Sequence, residues 1–250
     1  MRSTLIKFIL ILLIILALVV FSANIVRVTG ATFFSNATFI EPCDSNNIAL
    51  TIDDGPDPIS TPFILDVLRD NGVTATFFIV GQRGEKHKEL LKRITQEGHE
   101  LANHTYTETV TITLDETELK NSIKNTHDVL SKFQTIRWFR PGTAFYNSNI
   151  VEEIKPYDYK IVIGDVWPFD TIISSSKFHS WYIQRSVQPG SIIIMHDARG
   201  KGITTAKSLA MVLPQLNSKG YRVTSLGELN SGCKIESYKP LNQDARLSAN

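Results

Sequence analysis

Five short segments of this 250-residue chain carry side chains that could do hydrolytic chemistry together. Asp53 and Asp54 stand side by side ahead of Gly55-Pro56-Asp57-Pro58. His104 is followed four residues on by Glu108, and Arg140 is followed by Pro141. Gly164-Asp165 leads into Trp167-Pro168-Phe169-Asp170, and His196-Asp197 closes the series. Asp and His are side chains that hold a Lewis-acidic divalent metal such as zinc. A bound metal lowers the pKa of its water toward about 7 and polarises a carbonyl. A second carboxylate beside the ligand can act as general base, and a second His across the site can protonate a leaving amine. That is the equipment for metal-assisted hydrolysis of an amide or ester. Singly, each segment has an ordinary explanation: an acidic pair before Gly-Pro is common turn chemistry, and a lone His is more often structural.

The elements that must position these groups decide between the two. Short apolar runs at 48–52, 74–80, 100–103, 137–139, 159–163, 191–195 and 221–225 predict strands. Amphipathic stretches at 59–71, 86–97, 116–133, 175–187 and 204–218 predict helices between most of them. Asn71-Gly72, Glu97-Gly98 and Lys219-Gly220 read as helix stops. Repeated strand-helix units predict a parallel sheet. About seven of them in roughly 190 residues suit an α/β fold closed into a distorted (β/α)7-8 barrel, with a doubly wound open sheet as the competitor. In either architecture ligands sit at the C-terminal ends of the strands. All five segments follow predicted strands, so five independent coincidences fall on one rim.

The termini are of different material. Residues 5–26 form an apolar stretch with one charge, preceded by Arg2 and containing Lys7, long enough for a bilayer-spanning helix. The positive charges keep the N-terminus cytosolic and place the rest of the chain on the lumenal or extracellular side. The expected organisation is a cytosolic stub with a signal anchor or transmembrane helix over 1–30, a linker over 31–42, a domain over 43–233 and a loose tail over 234–250. Secretion after signal cleavage is the alternative, although Phe21-Ser22-Ala23 is a poor site and Thr29-Gly30-Ala31 lies far downstream. Asn36-Ala37-Thr38 is a glycosylation sequon in the linker. Cys43 and Cys233, the two cysteines, bracket the domain. They read as two free thiols or, in an oxidising compartment, as one disulfide. With a net charge of +1 and no basic stripe, nucleic acid is not an expected partner.

The motifs themselves resemble a known family. Thr51-Ile52-Asp53-Asp54-Gly55-Pro56 is similar to the Thr-Phe-Asp-Asp-Gly-Pro signature of the polysaccharide deacetylases, also called the NodB-homology family or carbohydrate esterase family four. His104-Thr105-Tyr106-Thr107-Glu108 resembles its His-Ser/Thr-x-x-His motif, and Arg140-Pro141-Gly142 its Arg-Pro motif. The 164–170 stretch resembles its Asp/Trp motif with altered spacing, and Ile194-Met195-His196 its Leu-x-His motif. The resemblance implies a distorted barrel of seven or eight strand-helix units. It implies Asp53 as general base, Asp54 and His104 as metal ligands, and Arg140 as the residue holding Asp53. His196 would be the general acid with Asp165 as its orienting partner, and the backbone N–H of Thr143 would help hold the oxyanion. The metal expected is zinc, with cobalt or manganese as alternatives. The implied partners are acetylated glycans such as chitin, chitooligosaccharides, peptidoglycan and xylan. Trp167, Phe145 and Tyr146 sit beside the motifs and aromatic faces suit sugar rings; of these, Trp167 and Tyr146 join Thr143 as expected substrate contacts.

One position departs from the pattern. Glu108 stands where the family has its third metal ligand, a second His. Either Glu108 ligates through oxygen, or it turns away and leaves two ligands and no resident metal. The first outcome predicts N-deacetylation of N-acetylglucosamine residues in chitin or chitooligosaccharides. The second predicts a catalytically impaired relative that binds glycan or a surface partner.

Overall fold

The computed structural model describes residues 45–197 and 200–233. The apolar stretch 5–26, the sequon at Asn36, Cys43 and the tail 234–250 lie outside the described residues. No helix among the described residues is long and apolar enough to cross a membrane.

All seven expected strands are present and all pair in parallel. They are β1 (Asn47–Gly55), β2 (Thr76–Ile79), β3 (Glu100–Asn103), β4 (Trp138–Phe139), β5 (Lys160–Ile161), β6 (Ile192–His196) and β7 (Arg222–Thr224). The longest, β1, is buried without a break from Ile48 to Asp53, the near-continuous apolar run of a strand covered on both faces. It pairs with β2 on one side. On the other, β6 takes Ala49–Asp53 and β7 takes Asn47–Ala49. The order β5-β4-β3-β2-β1-β6 places each of the first five strands beside its sequence neighbour. A doubly wound sheet would reverse direction at a switch point. Here the sheet instead curls round, because Val166, beyond β5, bridges Ile193 of β6. Val166 N–H donates to Ile192 O at 3.2 Å and Ile194 N–H to Val166 O at 2.9 Å. The architecture is that of a distorted α/β barrel.

Eight helices are described: α1 (Ser60–Asp70), α2 (Gly81–Lys86), α3 (Lys88–Gln96), α4 (Glu116–Leu130), α5 (Ser148–Ile154), α6 (Ser176–Ser186), α7 (Gly202–Ser218) and α8 (Leu226–Gly232). The five expected helices match α1, α3, α4, α6 and α7. The short α2, α5 and α8, of 6 or 7 residues, were not expected, since fewer than two turns leave little periodicity to read. Gly98 and Gly220 take φ of +84° and +83° after α3 and α7, the left-handed turn that ends a helix ahead of a strand. The start of α4 is fixed by a capping box: Glu118 N–H donates to the Asp115 side chain while Glu118 accepts from Asp115 N–H. Cys233, just after α8, is disulfide-bonded. It packs with Ala49, Phe78, Trp138 and Leu226 in a buried apolar cluster.

Candidate active site

At the C-terminal ends of the strands lies a cleft of about 700 Å³, the size of a small-ligand site. Asp53, Asp54, His104, Glu108, Arg140, Thr143, Trp167 and His196 all line it. Consecutive residues of a regular strand face opposite sides. Asp53 and Asp54 nevertheless share the cleft because the β1–β2 register shifts between Asp53 and Gly55 and Asp54 turns to φ +69°. A bulge of this kind re-aims a side chain at a strand end.

Arg140 follows β4 and is 1% exposed; Asp53 is 3% exposed. Its Nη1 donates to Asp53 Oδ1 at 2.5 Å and to Thr51 Oγ1 at 2.9 Å, and its Nε donates to Val162 O at 2.9 Å. The guanidinium also lies 4.0 Å from the centre of the Phe78 ring. Burial lowers the Arg140 pKa, and the Asp53 charge opposes that. A cation fixed on four sides thus holds the proposed base in one orientation.

His104, at the end of β3, donates its Nδ1–H to Arg140 O, 2.7 Å away. Its Nε2 faces Asp54 Oδ1 at 3.3 Å. Burial raises the Asp54 pKa, but the hydrogen bond and charge of His104, with His196 and Arg83 behind it, outweigh that and bring it to about 2. Burial likewise opposes the charged form of His104, yet the two aspartates leave its pKa raised.

On the strand next to β1, His196 ends β6, in register with Asp53. Its Nδ1 lies 3.0 Å from Asp170 Oδ1, and its N–H donates to Asp170 Oδ2 at 2.7 Å. Trp167 Nε1 donates to Asp170 Oδ1 at 3.1 Å. Burial pulls the His196 pKa down, but the hydrogen bond and charge of Asp170 outweigh it and raise it to about 9.

Two expectations need correction. Asp165 is not beside His196: its carboxylate accepts from Ser191 Oγ at 2.8 Å and Ile192 N–H at 2.6 Å, pinning the loop before β6. Asp170 is the carboxylate at His196, because the turn after Trp167 carries it back under β6. Tyr146 is only 2% exposed and lines no part of the cleft, whereas its neighbour Phe145 is 46% exposed and does line it. The backbone is extended at Phe145, so adjacent side chains point to opposite sides. Glu108 lies on the cleft wall, but its Oε1 pairs with Arg83 Nη2 at 2.5 Å.

Arg83, on α2, escaped the sequence reading. It follows β2, a strand end with no acidic or histidine side chain to mark it, and its Nη1 also donates to the backbone oxygen of Asp54. Thr143, in a turn with φ +65°, and Trp167 stand on the cleft wall where they were expected. His99, His127 and His179 serve the scaffold: His99 Nδ1 accepts from Ala75 N–H, His127 Nδ1 meets Tyr159 Oη, and His179 bridges Ser208 and Ile173 O.

The donor set partly fits a divalent ion. Two ligands about 2.1 Å from one ion, at angles from 90° to tetrahedral, lie about 3.0–3.4 Å apart. Asp54 Oδ1 and His104 Nε2 meet that separation at 3.3 Å. The contact from His104 Nδ1 to a backbone carbonyl is the support a metal-binding His uses. The third arm does not fit, because Glu108 is engaged by Arg83. Among the described residues no group of three or more His, Cys, Asp or Glu side chains is placed to hold a metal ion.

The sequence profile of the polysaccharide deacetylase family matches residues 41–162. A peptidoglycan-N-acetylglucosamine deacetylase of Bacillus cereus is 31% identical over 196 residues, which cover 77% of this chain and 92% of that protein. A chitooligosaccharide deacetylase of Rhizobium leguminosarum bv. trifolii is 30% identical, covering 73% and 91%. Among solved structures, an acetyl xylan esterase of family four from Clostridium thermocellum, in complex with a cobalt ion, superposes with a TM-score of 0.69 at 30% identity, covering 74% and 90%. A family-four pseudoenzyme from Bacillus anthracis, in a mutant with restored enzymatic activity, superposes with a TM-score of 0.70 at 26% identity, covering 76% and 68%. The fold and the paired Asp-Arg and His-Asp walls define a carbohydrate esterase scaffold, and the chain belongs to the polysaccharide deacetylase family.

Proposed function

We propose that this protein removes N-acetyl groups from N-acetylglucosamine residues of a chitin-like polymer or its oligosaccharides. One observation carries this reading: the Arg140-held Asp53 and the Asp170-held His196 stand in register on adjacent strands and line one cleft. A module that only binds sugar has no physical need for a buried base beside an imidazolium.

The attacking water loses its proton to Asp53, which Arg140 keeps aimed into the cleft. His196, whose Nδ1 is committed to Asp170, gives a proton to the departing amine nitrogen from its other ring nitrogen. The Thr143 turn stands beside the developing oxyanion and offers its backbone N–H. Phe145 and Trp167 offer ring faces to the sugar. A divalent ion, zinc or alternatively cobalt or manganese, would be held by Asp54 and His104 and would polarise the amide carbonyl. The domain works outside the cytosol, tethered by residues 5–26, and the disulfide bond of Cys233 supports an oxidising compartment.

The test is acetate release by the purified full-length chain from chitooligosaccharides and from peptidoglycan, with zinc or cobalt supplied. Acetate from the chitin series, lost in Asp53→Asn and in His196→Gln, is the expected result. A faster reaction on peptidoglycan would move the substrate to that polymer. The engagement of Glu108 by Arg83 favours a second reading, in which the cleft binds acetylated glycan without turnover. Saturable oligosaccharide binding with no acetate from any substrate would establish that reading instead.

A further inference from the structure

The Arg83 guanidinium touches two walls of the cleft at once. Its Nη2 lies 2.5 Å from Glu108 Oε1, and its Nη1 donates to the backbone oxygen of Asp54. Arg83 and Glu108 are both partly buried, at 29% and 18% side-chain exposure, so water screens the pair incompletely. The backbone oxygen it grips belongs to the residue whose side chain faces His104 at 3.3 Å. Charge within the cleft therefore falls into matched pairs. Arg140 answers Asp53 and Arg83 answers Glu108, while His104 faces Asp54 at 3.3 Å and, more distantly, Asp53 at 4.0 Å.

We infer that Arg83 withholds Glu108 from the metal site, so that this chain binds a divalent ion weakly through Asp54 and His104. The inference rests on the metal-assisted reading of the cleft and assigns Arg83 as a positioning residue. Glu108 is long enough to ligate, but a guanidinium is a fork of donors that suits a carboxylate, and transferring Glu108 to an ion would leave Arg83 with a half-buried charge unanswered. Arg83 also sets a fixed positive charge beside the point where the ion would bind. Both effects lower affinity, and both originate at the Arg83 side chain.

The experiment is a double-mutant cycle read as metal affinity. Calorimetric titration of Zn²⁺ and Co²⁺ into the full-length chain, with the visible spectrum of bound Co²⁺, is run on wild type, Arg83→Gln, Glu108→Gln and the double variant. Arg83→Gln is expected to bind at least ~10-fold more tightly than wild type, as ligand support of this kind commonly carries. In the Arg83→Gln background Glu108→Gln then costs ~10-fold or more, while against native Arg83 it costs clearly less. Equal costs in the two backgrounds, or no gain in Arg83→Gln, would overturn the inference. Arg83→Met repeats the cycle if Arg83→Gln does not fold by circular dichroism. Acetate release is assayed in parallel. The expected affinities with no acetate from any variant would defeat the deacetylase reading alone, and acetate release without the coupling would defeat this inference alone.

Discussion

Arg140 Nη1 lies 2.5 Å from Asp53 Oδ1, and both side chains are withdrawn almost wholly from solvent. Two opposite charges in such a place stabilise little as a pair but cost much when separated. Arg140→Gln leaves Asp53 buried without its partner and is expected to lower unfolding free energy by about 3–5 kcal/mol. Adding Asp53→Asn should recover much of that loss without recovering activity, because the charge problem goes but the base goes with it. Urea unfolding of the four proteins measures both. A double variant as unstable as Arg140→Gln alone would show that packing against Phe78, rather than charge, holds this corner.

The two aspartates of the 164–170 stretch should separate cleanly. Asp170→Asn leaves His196 without its carboxylate, and kcat/KM is expected to fall ~100-fold. The basic limb of the pH profile, which the raised His196 pKa of about 9 places near pH 9, should move to lower pH in that variant. Asp165→Asn touches Ser191 and Ile192 instead and should cost about 1 kcal/mol of stability while sparing activity within a few-fold. The reverse ranking of the two rates would restore Asp165 as the partner of His196.

Asp197 gives a pH signature of its own. It is buried behind the cleft, accepting from Ser60 Oγ at 2.6 Å and from Thr61 Oγ1, and its backbone N–H donates to Asp53 O. Burial pushes its carboxyl from the ordinary 3.8 up to about 7, the hydroxyls only partly opposing. The folded chain therefore holds this proton more tightly than the unfolded chain does. The corresponding stability is full below about pH 4 and is lost as pH rises through about 7. Asp197→Asn should remove that decline, on the order of 4 kcal/mol at most between pH 4 and 8. Denaturant midpoints at pH 4, 6 and 8 decide it; parallel trends in wild type and variant would exclude Asp197 as the source.

Far from the cleft, the capping box at Asp115 offers a control. Asp115→Ala removes the acceptor for Glu118 N–H and should cost about 1 kcal/mol in thermal or chemical unfolding. Acetate release should be unchanged at temperatures where the variant stays folded. A lost activity would tie the α4 start to the site in a way its position gives no reason to expect.

Much of this was legible in the residues. Strands of a parallel sheet are apolar and end in polar residues, so the seven runs and the rim they share could be located directly. Asp53, Asp54, His104, Arg140 and His196 sit at such ends and stand together as expected. Asp165 misled because it too follows a strand, whereas which carboxylate reaches His196 depends on how the turn through Trp167 and Pro168 folds back, which no periodicity records. Tyr146 misled for a similar reason: the choice between it and Phe145 rests on which way one extended backbone faces. Arg83 was hidden because a basic residue in a short helix carries no signal until its partners, Glu108 and the Asp54 carbonyl, are placed beside it.

The pairing of β1 with β6 has a consequence for how the protein is made. Thr51 Oγ1 donates to Ile193 O, 142 positions away, and Asp53 aligns with His196. Synthesis proceeds from the N-terminus, so Asp53 emerges early and the imidazole of His196 that stands beside it arrives only near the end. Until that late strand docks against the first one, every earlier stage of the nascent chain carries half of the cleft. On the proposed function, hydrolytic competence would be reserved for the finished domain, and the docking of distant strands that completes the cleft belongs to the slow class of folding events.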